Sequence, residues 1–379
     1  RAPGSPRGAP SWFADGRILL AAFDTGPGRI GLWAPGKRAG NRAIDWQAGF
    51  SPEEGAPVAS PLGDSYARLR YGDGAVEVRV ASISSLGDRA VATAEGTTRN
   101  VAWLPDASEI VFDRESSRMP RSLLAAPAHV SSAEAPAEAR VIVYGAARLA
   151  PERLAAALPV SIPREGGAPL PAWLYAPHPP RARRGVIIVE EGPRGRVAPR
   201  FDPLAQALVV QGYSVLVSAY AGSLGQGRAH ERAGDGRWAR AATADLRDGA
   251  AYLVREAFAA PGRVGVVGRG WFGGYLALMG EASYPGVLRA AASLGGASDL
   301  WRAWEAGDAE TRASIERGLG MKRSREAAWR ARSPAGAVGI LGAALLVHGE
   351  RDPQLRDARA LADALERTGA AVKLVVYEG

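Results

Sequence analysis

Residues 263–278 form a glycine-rich stretch with the composition of a turn that supports chemistry. Their sequence, Arg-Val-Gly-Val-Val-Gly-Arg-Gly-Trp-Phe-Gly-Gly-Tyr-Leu-Ala-Leu, passes from a β-branched run through glycines into an apolar helical pattern. A strand that turns sharply into a helix in this way is typical of a nucleophile elbow, the strained turn that presents a reactive hydroxyl. The stretch contains no Ser, Thr or Cys. The pattern therefore predicts the architecture of a nucleophilic site in which the nucleophile itself is absent.

The elements around this turn alternate between strands and helices from about residue 150 onward. Strand-like runs lie at 186–189, 214–218, 290–294, 344–347 and 372–377. Asp202 is a plausible N-cap of one helix, and Leu246, Ala250, Leu253 and Ala257 line one face of another. Alternating strands and helices form a mostly parallel sheet that is covered on both faces. We therefore predict an α/β fold for residues 151–379.

Residues 1–150 contain a weak internal repeat instead of long helical periodicity. Turn-like units around Ala14, Pro61 and Pro105 each precede a strand-like run. Such units at intervals of about 40–50 residues are typical of β-propeller blades, and an irregular β-sandwich is the alternative. We predict a partial propeller of about three blades over residues 1–150, with a loop or linker at 131–138. A propeller needs at least four blades and the chain starts with Arg1, which together favour a fragment of a longer protein.

The composition excludes several classes of protein and of site. Hydrophobic residues make up 47% of the 379 residues and charged residues 23%, as in ordinary globular proteins. The absence of Cys excludes disulfides, thiolate metal sites and a Cys nucleophile. The net charge of +8 would suit a nucleic-acid partner, but the basic residues are scattered arginines. We expect no nucleic-acid or membrane partner and no metal or other cofactor, and we leave the compartment and the oligomeric state open.

Short motifs between residues 211 and 352 resemble those of the prolyl oligopeptidase family, serine peptidases that join a β-propeller to a C-terminal α/β-hydrolase domain. Residues 211–216, Gln-Gly-Tyr-Ser-Val-Leu, are similar to its GYAVL strand, and 219–227 to its NYRGSTGYG loop. Trp238 and residues 245–253 resemble its WG…DxxDGxxYL motif, and further landmarks match at 299–300, 333–334 and 348–352. The resemblance implies short peptides as substrates, hydrolysed through an acyl-enzyme, with the propeller restricting access.

The resemblance assigns the nucleophile to one of two positions in the elbow. Counting forward from Gly268 gives Gly270, and counting back from Gly273 gives Trp271, because the motif carries one extra residue. Neither residue has a hydroxyl. Loss of such a serine lowers turnover about 10⁶-fold, which corresponds to roughly 8 kcal/mol of barrier. A tight elbow also predicts a strained or positive φ at this point.

The resemblance also assigns an orienting acid and a base. Asp352 follows a His-Gly-x-x motif after a buried strand and takes the place of the acid, with a helix-capping Asp as the alternative. The base His is expected directly after the strand at 372–377. The chain stops at Glu378 and Gly379, which favours a base that is cut off rather than replaced. We expect His348, which belongs to the motif before the acid, to be a packing residue.

The loop expected to stabilise the oxyanion is altered as well. Glu190, Glu191 and Gly192 stand where the family has His-Gly-Gly. Carboxylates beside a developing oxyanion would repel it, which is the opposite of what hydrolysis requires. The leading interpretation is a member of this family that is inactive in this form. The alternative is a non-catalytic relative that keeps the fold for peptide binding or for assembly.

The same glycines also match the spacing of a dinucleotide-binding motif. Gly268, Gly270 and Gly273 follow a strand and open a helix, as the Gly-x-Gly-x-x-Gly fingerprint requires. The acidic residue expected about 20 positions later at the end of a second strand is absent. We therefore expect no nicotinamide cofactor.

Overall fold

The computed structural model describes residues 5–6, 10–23, 28–34, 44–50, 57–71, 75–84, 88–129, 139–145, 153–164, 167–177, 183–195, 197–224, 228–320, 326–338 and 341–378. The chain divides into two compact units, residues 1–154 with 198–201 and residues 155–197 with 202–379. The predicted linker at 131–138, the motif glycines Gly225 and Gly227, and the terminal Gly379 lie outside the described residues.

Within its described residues, the first unit contains three antiparallel sheets that follow one another along the chain. The first blade contains β1 (Ser5–Pro6), β2 (Ser11–Trp12), β3 (Ile18–Phe23), β4 (Gly28–Trp33) and β5 (Ile44–Phe50). The second blade contains β6 (Val58–Ala59), β7 (Ser65–Tyr71), β8 (Ala75–Ser82) and β9 (Asp88–Glu95). The third blade contains β10 (Val101–Trp103), β11 (Glu109–Ser116), β12 (Met119–Pro127) and β13 (Arg140–Val143). This arrangement confirms the predicted partial propeller.

Buried apolar side chains connect consecutive blades. Phe13 and Leu19 of the first blade pack in one cluster with Tyr66 of the second. Leu69 of the second blade packs in another cluster with Phe112 of the third. A single blade buries one face only against its neighbour, which is why such sheets are stable as a series.

The second unit is built on one eight-stranded sheet with the order β14-β15-β17-β16-β18-β19-β20-β21. The strands are β14 (Leu158–Ile162), β15 (Leu170–Tyr175), β16 (Arg184–Val189), β17 (Tyr213–Ser218), β18 (Val264–Arg269), β19 (Ala291–Leu294), β20 (Ala343–Gly349) and β21 (Ala371–Tyr377). The helices are α1 (Pro203–Val210), α2 (Arg228–Arg232), α3 (Trp238–Arg255), α4 (Gly270–Ser283), α5 (Leu300–Ala306), α6 (Ala309–Leu319), α7 (Glu326–Arg330) and α8 (Leu355–Arg367). β14 and β17 run antiparallel to β15, and the remaining neighbours are parallel. The predicted α/β-hydrolase fold is confirmed.

The central strands explain the continuous apolar runs in the sequence. In β16, Ile187 and Val189 belong to the core beneath α3 and α4, whereas Val186 and Ile188 belong to the core beneath α1. A strand buried on both faces carries apolar residues at every position instead of at alternate ones. Because β16, β18, β19 and β20 are parallel, their carboxyl ends meet along one edge of the sheet, and the candidate site residues lie at this edge.

The structure has the predicted N-cap of α1, but α3 ends earlier than the sequence predicted. Asp202 caps α1 as predicted, because its Oδ1 accepts hydrogen bonds from the backbone N–H groups of Leu204 and Ala205 at 2.9 and 3.1 Å. The prediction that Ala257 continues the buried face of α3 is wrong. The helix ends at Arg255, and Ala257 is exposed with a φ of +61°. None of the described helices combines the length and the apolar composition needed to cross a membrane.

Candidate active site

The elbow is a direct passage from β18 to α4. β18 ends at Arg269 and α4 begins at Gly270, and the strand lies between β16 and β19 in the sheet. Gly270 has a φ of +67°, whereas Trp271 lies inside the helix without a positive φ. The strained position expected at one of these two residues therefore falls on Gly270. Glycine takes this conformation without the steric penalty that a Cβ atom would bring.

The surrounding glycines allow three backbone segments to approach closely. A Cβ atom at Gly268 would collide with the carbonyl oxygen of Gly273 in the first turn of α4. A Cβ atom at Gly274 would lie 2.5 Å from the Cα of Gly296, in the loop after β19. These glycines are required by the packing of strand, helix and loop, independently of any ligand.

Glu191 occupies the space above Gly270. A Cβ atom at Gly270 would lie 2.9 Å from both Cγ and Oε1 of Glu191 and 3.2 Å from its Cδ. Carbon atoms normally approach no closer than about 3.5 Å. The side chain of Glu191, which is exposed on its outer side, therefore fills the volume in which the side chain of a nucleophile at position 270 would begin.

Glu190 points elsewhere although it is the adjacent residue. It is 4% exposed, and its Oε1 lies 3.9 Å from Nη2 of Arg269. Arg269 also forms an ion pair with Asp202, the residue that caps α1. Arg269 therefore faces two carboxylates at the end of β18. Of the two glutamates in this loop, Glu191 is the one whose charge lies over the elbow.

Gly192 packs on aromatic side chains beneath the loop. A Cβ atom at Gly192 would overlap the Tyr220 hydroxyl and lie 2.7 Å from the Phe272 ring. The Tyr220 and Phe272 rings are 5.6 Å apart, and Trp238 contacts both Phe272 and Trp271 at 4.7 and 5.9 Å between ring centroids. Burial raises the pKa of Tyr220, and the charge of Glu191 raises it further. The phenol is therefore neutral at physiological pH.

Asp352 lies in the loop after β20, at the same edge of the sheet as the elbow. Its Oδ2 is 2.8 Å from Nδ1 of His348, and its Oδ1 accepts a hydrogen bond from the backbone N–H of Gln354 at 2.8 Å. The same Oδ2 lies 3.6 Å from where a Cβ atom at Gly295, just after β19, would be. His348 is buried, as expected of a packing residue, but it is also the partner of the predicted acid. The sequence analysis did not predict this pair, although the four-residue spacing of His348 and Asp352 was a signal that could have revealed it.

A Ser–His contact links the loop after β17 to α2. Nε2 of His230 is 3.1 Å from Oγ of Ser223 and 2.8 Å from the carbonyl oxygen of Tyr220. A carbonyl oxygen only accepts, and therefore Nε2 carries the hydrogen and has no lone pair with which to take a proton from Ser223. Burial lowers the pKa of His230, which favours the neutral form of the ring. The pair holds the loop together and does not form a nucleophile with its base.

A buried ion pair also holds this loop, and sequence reasoning did not predict it. Oδ1 of Asp245 is 3.1 Å from Nε of Arg164, and Oδ2 accepts a hydrogen bond from the backbone N–H of Ala221 at 2.7 Å. Asp245 is 1% exposed, and burial raises its pKa to about 6 despite the opposing charge of Arg164. Among the residues that the structure describes, no three His, Asp or Glu side chains come together as metal ligands.

The fold has close counterparts among solved structures. A puromycin-hydrolysing peptidase of Mycobacterium tuberculosis superimposes with a TM-score of 0.81 over 98% of this chain and 58% of its own, at 21% sequence identity. At that identity the likeness concerns the fold. The chain accordingly spans little more than half the length of this structural counterpart.

Sequence comparison finds similarity to two peptidases. A 115-residue segment is 32% identical to dipeptidyl peptidase family member 6 of Caenorhabditis elegans, covering 30% of this chain and 15% of the relative. An alignment of the same length is 31% identical to dipeptidyl aminopeptidase BIII of Pseudoxanthomonas mexicana, covering 30% of this chain and 16% of that relative. Residues 199–379 match the model of the prolyl oligopeptidase family of peptidases. This segment carries the elbow, Asp352 and most of the eight-stranded sheet, so the part of the chain that is similar to the prolyl oligopeptidase family is also the part that holds the candidate site.

Proposed function

We propose that this chain is a peptide-binding member of the prolyl oligopeptidase family that does not hydrolyse peptides through a serine acyl-enzyme. The observation that carries the proposal is the elbow itself. Gly270 has a positive φ, which is what we expect of the nucleophile position, and the Glu191 side chain lies where the Cβ atom of a residue at position 270 would be. Acyl transfer needs a nucleophile at that point and hydrogen-bond donors around the oxyanion. In this chain the position carries a hydrogen atom and faces a carboxylate.

Other hydroxyl groups near the site are not accessible to a substrate. Ser293 on β19 and Ser223 in the loop after β17 are both 0% exposed. The Ser293 Oγ packs against the backbone of Gly274 and Gly296, and Ser223 contacts the protonated nitrogen of His230. Neither serine can replace a nucleophile at position 270 without a rearrangement of the elbow. We retain Asp352 as the position of the orienting acid, because it lies on the loop after β20 at the same edge of the sheet.

Two measurements on the same preparation test this proposal. Incubation with a fluorophosphonate probe, followed by intact-mass analysis, should leave the chain unmodified under conditions in which an active serine hydrolase is labelled completely. A short proline-containing peptide with a fluorescent C-terminal amide should not be turned over. A stoichiometric serine adduct, or turnover that the probe abolishes, would overturn the proposal.

Peptide binding is tested separately from hydrolysis. Fluorescence anisotropy of a labelled short proline-containing peptide should show saturable binding that Trp271→Ala weakens, because the Trp271 ring borders the elbow. Tyr377→Ala is the matched control, since Tyr377 is 65% exposed on the edge strand β21. Equal effects of both substitutions would contradict a binding site at the elbow.

A further inference from the structure

The two glutamates of the loop after β16 differ in how their charges are compensated. Glu190 is buried and lies 3.9 Å from Arg269, which also forms an ion pair with Asp202. Glu191 is exposed, and among the residues that the structure describes its carboxylate has neither a hydrogen bond nor an ion pair. Because Asp202 already engages Arg269, that guanidinium does not neutralise Glu191. Glu191 therefore keeps a negative charge that no described cation balances.

This charge lies at a negatively charged edge of the sheet. β18 and β19 are neighbouring parallel strands, so Gly270 and Gly295 lie side by side just after their ends. Oε1 of Glu191 is 2.9 Å from the Cβ position of Gly270, and Oδ2 of Asp352 is 3.6 Å from that of Gly295. The two carboxylates make the local potential negative, although the chain as a whole has a net charge of +8. A ligand carboxylate is repelled at this edge, and a cation is attracted to it.

An indole ring belongs to the same turn. Trp271 follows Gly270 in α4, and its partly buried ring lies 5.6 Å from the Phe272 ring and 5.9 Å from the Trp238 ring. These contacts hold the ring in place and leave part of it exposed. The face of an indole attracts a cation electrostatically, and a carboxylate accepts charge-assisted hydrogen bonds from an ammonium group. The elbow therefore offers both kinds of contact that such a cation makes.

We propose that the elbow binds a primary ammonium group of its peptide ligand, with Glu191 as the counter-charge and the Trp271 ring beside it. The ammonium group donates hydrogen bonds to the Glu191 carboxylate, and no covalent bond is made or broken. The inference rests on the peptide binding proposed above and narrows the ligand to peptides with a free amino terminus or a lysine side chain. The charge that opposes an oxyanion is thus the charge that selects the ligand.

Three labelled peptides of equal length separate the two sources of an ammonium group. Each contains proline and carries an uncharged fluorophore on its C-terminal amide. The first has a free amino terminus and no lysine, the second is acetylated and has no lysine, and the third is acetylated and has one lysine. In fluorescence anisotropy at least one ammonium peptide should bind the parent chain about tenfold more tightly than the second peptide, because a hydrogen bond to a charged group contributes roughly that much.

A variant that removes only the charge connects this preference to Glu191. Glu191→Gln should abolish the preference and leave the affinity for the acetylated, lysine-free peptide unchanged. Glu256→Gln is the matched control, because it also removes one negative charge and Glu256 is exposed just after α3, before β18 begins. This control should retain the preference, and circular dichroism checks that both variants are folded.

The outcomes distinguish the ammonium site from the peptide binding on which it rests. A preference for one ammonium peptide that is lost in Glu191→Gln supports the site and identifies the source of the ammonium group. Saturable binding of all three peptides with equal affinity, or a preference that Glu191→Gln retains, would overturn the site and leave peptide binding intact. The absence of saturable binding by any of the three peptides would overturn both.

Discussion

The contact between Glu191 and the elbow can be measured as a coupling free energy. Gly270→Ala adds the single Cβ atom that would lie 2.9 Å from Cγ and Oε1 of Glu191. Glu191→Ala removes those atoms and leaves the loop backbone intact. The free energy of unfolding is compared for the parent chain, the two single variants and the double variant. Gly262→Ala serves as the control, because Gly262 has a φ of +68° and no atom within 4 Å of the Cβ position.

The magnitude follows from two separate costs. An L-residue at a positive φ costs about 1–2 kcal/mol, and this cost is common to Gly270→Ala and Gly262→Ala. Only Gly270→Ala must also displace Glu191, whose forced rotamer change costs about 0.5–1.5 kcal/mol. We therefore expect Gly270→Ala to destabilise the protein more than Gly262→Ala by that second amount. In the Glu191→Ala background the difference should disappear.

Urea denaturation followed by circular dichroism gives these free energies with sufficient precision. Additivity of the two substitutions within about 0.3–0.5 kcal/mol would mean that the side chains do not interact. That result, or a smaller loss for Gly270→Ala than for Gly262→Ala, would refute the assignment of Glu191 to the nucleophile space. It would also remove the main support for a blocked elbow.

Three further expectations concern stability and partners. Burial raises the pKa of Asp245 from 3.8 to about 6, so between these pH values the folded protein holds a proton that the unfolded chain has released. The protonated carboxyl therefore contributes a free energy of folding that is complete below about pH 4 and lost by about pH 6. The loss of stability between these pH values is at most about 3 kcal/mol. Urea denaturation across this range should show a smaller loss in Asp245→Asn. The control Asp363→Asn, on the exposed face of α8, should leave the loss unchanged. Ala257→Gly should stabilise the protein by roughly 1 kcal/mol, because glycine relieves the positive φ after α3. Ala251→Gly, within that helix, should destabilise it by about as much. Thermal denaturation in which both variants shift the unfolding temperature in the same direction would contradict the argument. Despite the net charge of +8, no duplex DNA binding is expected at physiological salt, and a submicromolar complex in an anisotropy titration would overturn this expectation.

The strands, helices and turns of this fold could be predicted from the sequence because each depends mainly on residues that are neighbours in the chain. Three features show this: the uninterrupted apolar run of β16, the Asp202 cap and the glycines after β18. Each is determined by residues only a few positions apart. The same holds for the turns that mark the three blades. The register of Ala14, Pro61 and Pro105 in the sequence repeat is also the register of the three turns in the structure. Ala257 was misassigned because helical periodicity continues past the point where the backbone turns away.

The site could be predicted only as a set of positions. The sequence left the nucleophile position open between Gly270 and Trp271, and in the structure only Gly270 of the two has a positive φ. The contact of Glu191 with the elbow and the burial of Asp245 against Arg164 depend on side chains brought together from distant segments. Such contacts leave no periodic trace in a sequence. The contact of His348 with Asp352 was not predicted either, although it could have been, because the two residues are only four positions apart.

The packing role of the elbow glycines has a consequence for how this kind of chain is recognised. Gly268 and Gly274 are required by the meeting of strand, helix and neighbouring loop, whether or not a reaction takes place there. The spacing that identifies the turn in a sequence is thus a signature of architecture. Under the proposed function, chemistry would depend instead on one side chain at position 270 and on the charge of the loop above it. Two chains can share the complete glycine signature and differ in whether they cleave a bond, and the difference is found only by inspecting those few positions.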